Sequence, residues 1–220
     1  MQVPLKTRRK LFFKNSATLY FIHTPKCGGS FVEKAFSPFI EKSPTLTLED
    51  AAGHLTWLEY QEVFRAHRID FNKATTFSVV RNPWDWHVSW FHYIKQDPGG
   101  RHSGHKIENQ IFQDFEFVDY VHWLEDPEAI RGPQGYLVKQ LSDWVIDDNE
   151  NIAVDHVFRQ ESLENDLIRF IQENDLAIKT ESLKVNTSER GNYRDYYDHE
   201  TEKLVEKRHA RDIAFFGYQF

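Results

Sequence analysis

Residues 18–36 limit the folds open to this chain more than any other stretch. Leu19-Tyr20-Phe21-Ile22 reads as the centre of a buried strand, Thr24-Pro25-Lys26-Cys27-Gly28-Gly29-Ser30 as a turn, and Phe31-Val32-Glu33-Lys34-Ala35-Phe36 as a helix. A strand that runs through a glycine loop straight into a helix is a building unit of α/β proteins. Residues 74–80, rich in Thr, Phe and Val, read as a second strand. A helix start follows at once, with Asn82 as cap, Pro83 in the first helical position and Asp85 in the first turn, and the helix extends to about Lys95.

Other elements fit the same alternation of strands and helices. Thr56 opens a helix with Glu59 as its capping-box partner. A strand is expected at 154–158 and a helix at 162–173. Amphipathic stretches occupy 115–124 and 135–144, and a long helix is expected over 199–212. Residues 97–106, with three glycines, a proline and two histidines, read as a mobile surface loop. With 220 residues and an aromatic content of 15%, the chain is long and apolar enough for one well-packed domain spanning 1–220.

Charge and cysteine usage narrow the function. A net charge of −7 opposes whole-surface binding to nucleic acid, so any anion site must be local. One cysteine, Cys27, allows neither an intrachain disulfide nor a cysteine cage for a metal, which suits a reducing compartment. The apolar runs are too short for a signal peptide or a membrane span, and a soluble cytoplasmic protein is expected.

Two constellations carry chemistry. The loop at 24–30 delivers backbone N–H groups and a helix N-terminus to one concavity, with the Lys26 ammonium and the Ser30 hydroxyl beside them, as a phosphate-type anion requires. It is not the nucleoside-triphosphatase loop, in which the lysine follows the glycines. The plain alternative is a strand-to-helix turn that uses glycine for its backbone freedom. Arg81 closes the second strand and Ser89 lies about two turns into the next helix, a guanidinium and a hydroxyl suited to a second phosphate. The alternative there is an ordinary salt-bridged arginine. Taken together, the two sites point to a nucleotide phosphorylated at two places.

Phe21-Ile22-His23-Thr24-Pro25-Lys26-Cys27-Gly28-Gly29-Ser30 resembles the 5′-phosphosulfate loop of sulfotransferases that use 3′-phosphoadenosine 5′-phosphosulfate (PAPS), and Ser78-Val79-Val80-Arg81-Asn82-Pro83-Trp84-Asp85 through Ser89 resembles their 3′-phosphate strand and helix. The loop is most similar to that of the carbohydrate-type branch, which includes soluble bacterial members. The resemblance implies a central parallel sheet flanked by helices, in the P-loop nucleotide-kinase-like arrangement. It also implies that Lys26 contacts the bridging oxygen and sulfonate, that the amides of Cys27, Gly28, Gly29, Ser30 and Phe31 hold the 5′-phosphate, and that Arg81 and Ser89 hold the 3′-phosphate. Arg190-Gly191 is the candidate for a late loop that closes over the nucleotide. Trp86 departs from the pattern, standing where many relatives have a basic residue.

The expected reaction moves a sulfuryl group from PAPS to a hydroxyl on a glycan or other small molecule, leaving 3′-phosphoadenosine 5′-phosphate (PAP). Lys26 supplies the charge stabilisation, so no metal is required. His54 is the first candidate for the base that takes the acceptor's proton and Glu33 the second, while His23 is expected to pack beneath the loop. His102 and His105 have metal-ligand spacing without a third ligand, and Cys27 matters for its amide. Trp84, Trp86, Trp90, Tyr93, His87 and His92 are divided between core and an acceptor-facing wall. Two alternatives are a nucleotide-dependent kinase of the same architecture and a non-catalytic PAP-binding protein.

Overall fold

The computed structural model describes residues 11–14, 17–36, 40–41, 54–66, 74–100, 104–128, 135–174, 176 and 191–220. Its strands are β1 (Leu11–Lys14), β2 (Ala17–Ile22), β3 (Ile40–Glu41), β4 (Ala74–Val80) and β5 (His156–Arg159). Its α-helices are α1 (Gly29–Phe36), α2 (Trp57–Ala66), α3 (Pro83–Lys95), α4 (Lys106–Phe112), α5 (Phe117–Trp123), α6 (Leu163–Glu173), α7 (His199–Arg208) and α8 (Ala210–Phe216). The chain divides into two compact units, residues 1–80 with 143–186 and residues 81–142 with 187–220.

The first unit is built on a five-stranded sheet in the order β3-β1-β2-β4-β5. Strands β2, β4 and β5 are parallel, with Phe21 opposite Phe77 and Ile22 opposite Ser78. This is the expected parallel core. To it the chain adds β1, antiparallel to β2, and β3, antiparallel to β1. Alternation along the strands sorts the helices between the two faces. On one face Phe77 packs against Phe21, Phe36 of α1 and Phe170 of α6, with ring centroids 5.2, 5.6 and 5.5 Å apart. On the other, Tyr20 meets Phe64 of α2 edge-on at 4.8 Å. Helices on both faces define an α/β layer architecture.

Local signals predicted several elements well. The α2 capping box is formed, with the Thr56 N–H donating to Glu59 Oε2 at 2.6 Å and the Glu59 N–H to Thr56 Oγ1 at 3.3 Å. Strand β4 has the expected bounds, as does α3, whose Asn82 cap accepts from the Trp84 N–H at 3.1 Å.

In the second unit α3 is the central helix, burying Trp84, Trp86, His87, Val88, Trp90, Phe91 and Ile94. The tryptophans and His87 divided between core and acceptor wall are therefore core. The C-terminus wraps the start of α3. Phe220 packs on Trp84 at 5.5 Å, the Asn82 amide donates to the Gln219 carbonyl, and the Trp84 indole donates to the Glu202 carbonyl.

Two expectations need correction. The segment 97–106 is a surface loop only in part at its described ends, where Gly99, Gly104 and Lys106 are exposed. Asp97, Gly100 and His105 are buried, and the Gly99 N–H donates to the Asn109 side chain at 3.1 Å. Glycines here allow a tight turn, since Gly99 and Gly100 both have positive φ. The long C-terminal helix is broken at His209, whose backbone leaves helical geometry (φ −106°, ψ 25°) between α7 and α8. There its side chain enters a buried hydrogen-bond network.

Candidate functional site

Strand β2 ends at Ile22, and the chain is tied down before it turns. The Ser78 hydroxyl donates to the Ile22 carbonyl at 2.7 Å, which leaves the Thr24 hydroxyl to donate to Ser78 Oγ at 3.0 Å. Both hydroxyls are fully buried. This pair locks the entry of the loop to the neighbouring parallel strand.

From that anchor the backbone turns sharply. Lys26 has φ +61° and Gly28 φ +77°, with the fully buried Cys27 between them. A lysine in the left-handed region costs about 1 kcal/mol or more relative to glycine. Gly28 is required twice, by its φ and because a Cβ there would come 2.7 Å from Leu163 Cδ2. Gly29 is required sterically alone, since a Cβ there would come 1.8 Å from His23 Nε2. The N–H groups of Phe31 and Val32 close back onto the Gly28 carbonyl at 2.9 and 3.2 Å. The Phe31 amide, expected to face the anion, is thus engaged inside the chain. Ser30 is exposed at the head of α1, where the helix dipole favours negative charge.

The two candidate bases lie beside this loop in the same unit. His54 donates from Nδ1 to the His23 carbonyl at 2.9 Å, and its own carbonyl accepts from the Trp144 indole at 2.9 Å. A carbonyl only accepts, so a hydrogen sits on Nδ1, and in the neutral ring the lone pair falls on Nε2. The imidazoles of His54 and His23 meet edge to face with centroids 4.2 Å apart. His23 also stacks on Phe21 at 5.1 Å, and its Nδ1 stands 3.9 Å from Glu33 Oε1. His54, Glu33 and His23 therefore form one cluster.

In the second unit, Arg81 follows directly on β4. Its Nε and one terminal nitrogen both contact Asp85 Oδ2, each at 2.7 Å, and the side chains are 9% and 14% exposed. The guanidinium is thereby held in a fixed plane at the start of α3. Ser89 lies one turn beyond Asp85 on α3 and is half-buried. Arg190 lies outside the described residues, while Gly191 is exposed. Likewise His102 lies outside them, and His105 is buried with Nδ1 3.5 Å from Glu108 Oε1. Among the described residues no three His, Cys, Asp or Glu side chains are grouped to hold a metal ion.

Sequence reasoning did not find the polar network at the centre of the second unit. Asp212, His209, His87 and Tyr120 are linked in series and all fully buried. The one local signal was the i, i+3 spacing of His209 and Asp212.

No family model matches the sequence, and no curated protein matches it. Solved structures do resemble the fold. A mouse sulfotransferase, SULT7A1, complexed with PAP superposes with a TM-score of 0.53 at 12% identity, over 89% of this chain and 83% of that one. A sulfotransferase from Alicyclobacillus acidocaldarius gives a TM-score of 0.39 at 15% identity, over 92% and 87% of the two chains. The first likeness shows that the chain has a sulfotransferase-type α/β fold.

Proposed function

We propose that this protein is a PAPS-dependent sulfotransferase that moves a sulfuryl group to a hydroxyl acceptor, a carbohydrate first among the candidates. The observation that carries the reading is Lys26, a lysine held at φ +61° in the loop that joins β2 to the helix α1. Glycine would occupy that backbone position at less cost, so the side chain is what the position retains. An ammonium beside a helix N-terminus is suited to a phosphosulfate. The neighbour crystallised with PAP has the same fold and supports the choice of nucleotide.

In this reading the amides of Cys27, Gly28 and Gly29 and the amide and hydroxyl of Ser30 take the 5′-phosphate. Arg81 and Ser89 take the 3′-phosphate, a guanidinium and a hydroxyl suited to it. Gly191, with Arg190, belongs to the closing loop. The acceptor oxygen attacks sulfur in line, the bond from sulfur to the bridging oxygen breaks, and PAP leaves with that oxygen. Lys26 neutralises the charge that develops there, which gives turnover without added Mg²⁺. His54 Nε2 receives the acceptor's proton. A kinase reading has less support, because the lysine precedes the glycines.

Among the described residues no helix is long and apolar enough to cross a membrane. With its one cysteine buried in the loop, we place the enzyme in the cytoplasm. The test is a labelled-PAPS transfer screen over glycans and small alcohols, with Lys26→Ala as the blank, beside thermal unfolding with PAP. Stabilisation by PAP and Lys26-dependent transfer are expected. Stabilisation without transfer to any acceptor would favour a non-catalytic binding protein, and no stabilisation at millimolar PAP would sink the nucleotide assignment.

A further inference from the structure

We infer that His23 is a positioning residue that holds the loop and His54 in one geometry, and that Glu33 acts through His23 instead of serving as the base. The chemistry rests on the sulfotransferase reading above; the geometry stands on contacts within the first unit.

His23 touches each part of the cluster with a different group. Its ring edge lies against the head of α1, where a Cβ on Gly29 would meet Nε2, Cε1 and Cδ2 at 1.8, 2.3 and 2.5 Å. That contact stops Gly29, and the amide it offers an anion, from moving toward the ring. Its carbonyl accepts the Nδ1–H of His54, which fixes the tautomer and directs the lone pair to Nε2. Its ring meets that of His54 edge to face at 4.2 Å between centroids, and Phe21 stacks at 5.1 Å. A shift of His23 therefore moves the phosphate-binding amide and the base together.

Glu33 enters through the remaining ring nitrogen. Its Oε1 stands 3.9 Å from His23 Nδ1, too far for a hydrogen bond but within reach of an ion pair once the imidazole is protonated. Among the described residues, titratable groups that face His23 include Glu33 from α1 and His54 from the segment before α2. The carboxylate favours a positive His23 beside loop amides that already attract anions. The same positive charge disfavours protonation of His54, which keeps His54 neutral and able to accept a proton.

Two measurements on the full chain test this. Histidine ring ¹⁵N spectra, titrated from pH 5 to 9, should show His54 as the Nδ1–H tautomer. In Glu33→Gln the His23 midpoint should move to lower pH while the His54 tautomer stays unchanged. An unmoved His23 midpoint, or His54 protonated on Nε2 alone, overturns the inference. In turnover, Glu33→Gln should keep kcat within about fivefold, where loss of a general base costs about 10²–10⁴-fold. It should also add nothing in a His23→Phe background. A loss of 10²-fold or more makes Glu33 the base, and a smaller effect that persists without the His23 imidazole shows that Glu33 does not act through His23; either overturns the inference. Absence of PAP binding and transfer in the wild type would sink the sulfotransferase reading, while the ring titration still decides whether Glu33 works through His23.

Discussion

The imidazoles of His87 and His209 face each other nitrogen to nitrogen, Nε2 to Nε2 at 2.8 Å, with 0% and 1% of their surface exposed. Proton positions along the chain they belong to follow from its ends. Asp212 accepts from the Leu141 and Ser142 N–H groups, each at 2.8 Å, and from His209 Nδ1 at 2.7 Å. Those bonds hold its carboxyl below the usual range even though burial pushes it up. His209 Nδ1 therefore donates to Asp212, and a neutral His87 divides one donor and one acceptor role between His209 Nε2 and the Tyr120 hydroxyl, 2.9 Å from its Nδ1. His87, held well below its ordinary range, is neutral in this arrangement.

Stability of the second unit should therefore fall on acidification. Burial, followed by the neighbouring His209 and Arg208, holds His87 well below its ordinary 6.5. The unfolded chain binds a proton there that the folded chain refuses, so stability is lost as pH falls through about 6.5 toward the depressed value. One such group gives a slope of at most about 1.4 kcal/mol per pH unit. Urea unfolding at pH 7.5, 6.5 and 5.5 measures it. His87→Leu should start less stable, because His209 Nε2 loses its buried partner, yet show a flatter acid slope. An equal slope in both proteins would place the effect elsewhere.

Gly29→Ala tests the wedge beside the loop. No positive φ is involved at this position, so the cost is the clash with His23 alone, an overpacking cost of about 1–3 kcal/mol. Removing the imidazole should relieve it. Gly29→Ala made in a His23→Ala background is expected to cost well under 1 kcal/mol, a non-additivity that denaturant unfolding of the four proteins would read. Gly135, with φ +60° and nothing within 4 Å of a built Cβ, is the control for backbone strain without contact.

Legibility from sequence followed the range of the interaction. The Thr56–Glu59 box, the Asn82 cap with Pro83, and the glycine loop are decided within a few residues, and the chain shows them as expected. Strands β1 and β3 were not foreseen, because four- and two-residue strands carry almost no periodic signal and exist only by pairing with a partner. His209 stops a helix that its neighbours would continue, since its ring is bound by Asp212 three residues on and by His87, 122 residues away in sequence. At the candidate site the order of the motifs was readable. His23 packs against the loop as expected, but that it also joins His54 and Glu33 was not readable, because those contacts depend on how distant side chains meet.

Arg81 carries two roles that separate by experiment. Arg81→Ala leaves the largely buried Asp85 carboxylate without its guanidinium, which costs roughly 1–3 kcal/mol of stability. It should also remove most of the thermal stabilisation by PAP. Arg81→Ala/Asp85→Ala should recover part of the stability and none of the PAP response. A double variant that regains nucleotide binding would show that Arg81 serves only to pair with Asp85.

Lys26 should show stability and function pulling in opposite directions. At φ +61° any residue with a Cβ is strained, whereas glycine is not. Lys26→Ala keeps the strain and loses the ammonium; Lys26→Gly loses both. Both variants should lack measurable transfer, since neither can neutralise the leaving phosphate oxygen. Lys26→Gly should nevertheless be more stable than Lys26→Ala by about 1 kcal/mol, reversing the order expected at an ordinary position, where glycine is the more costly. Chemical denaturation of the two variants gives the order directly. Equal stabilities would mean that the backbone at residue 26 is relaxed, and the case for a side chain retained against strain would be lost with it.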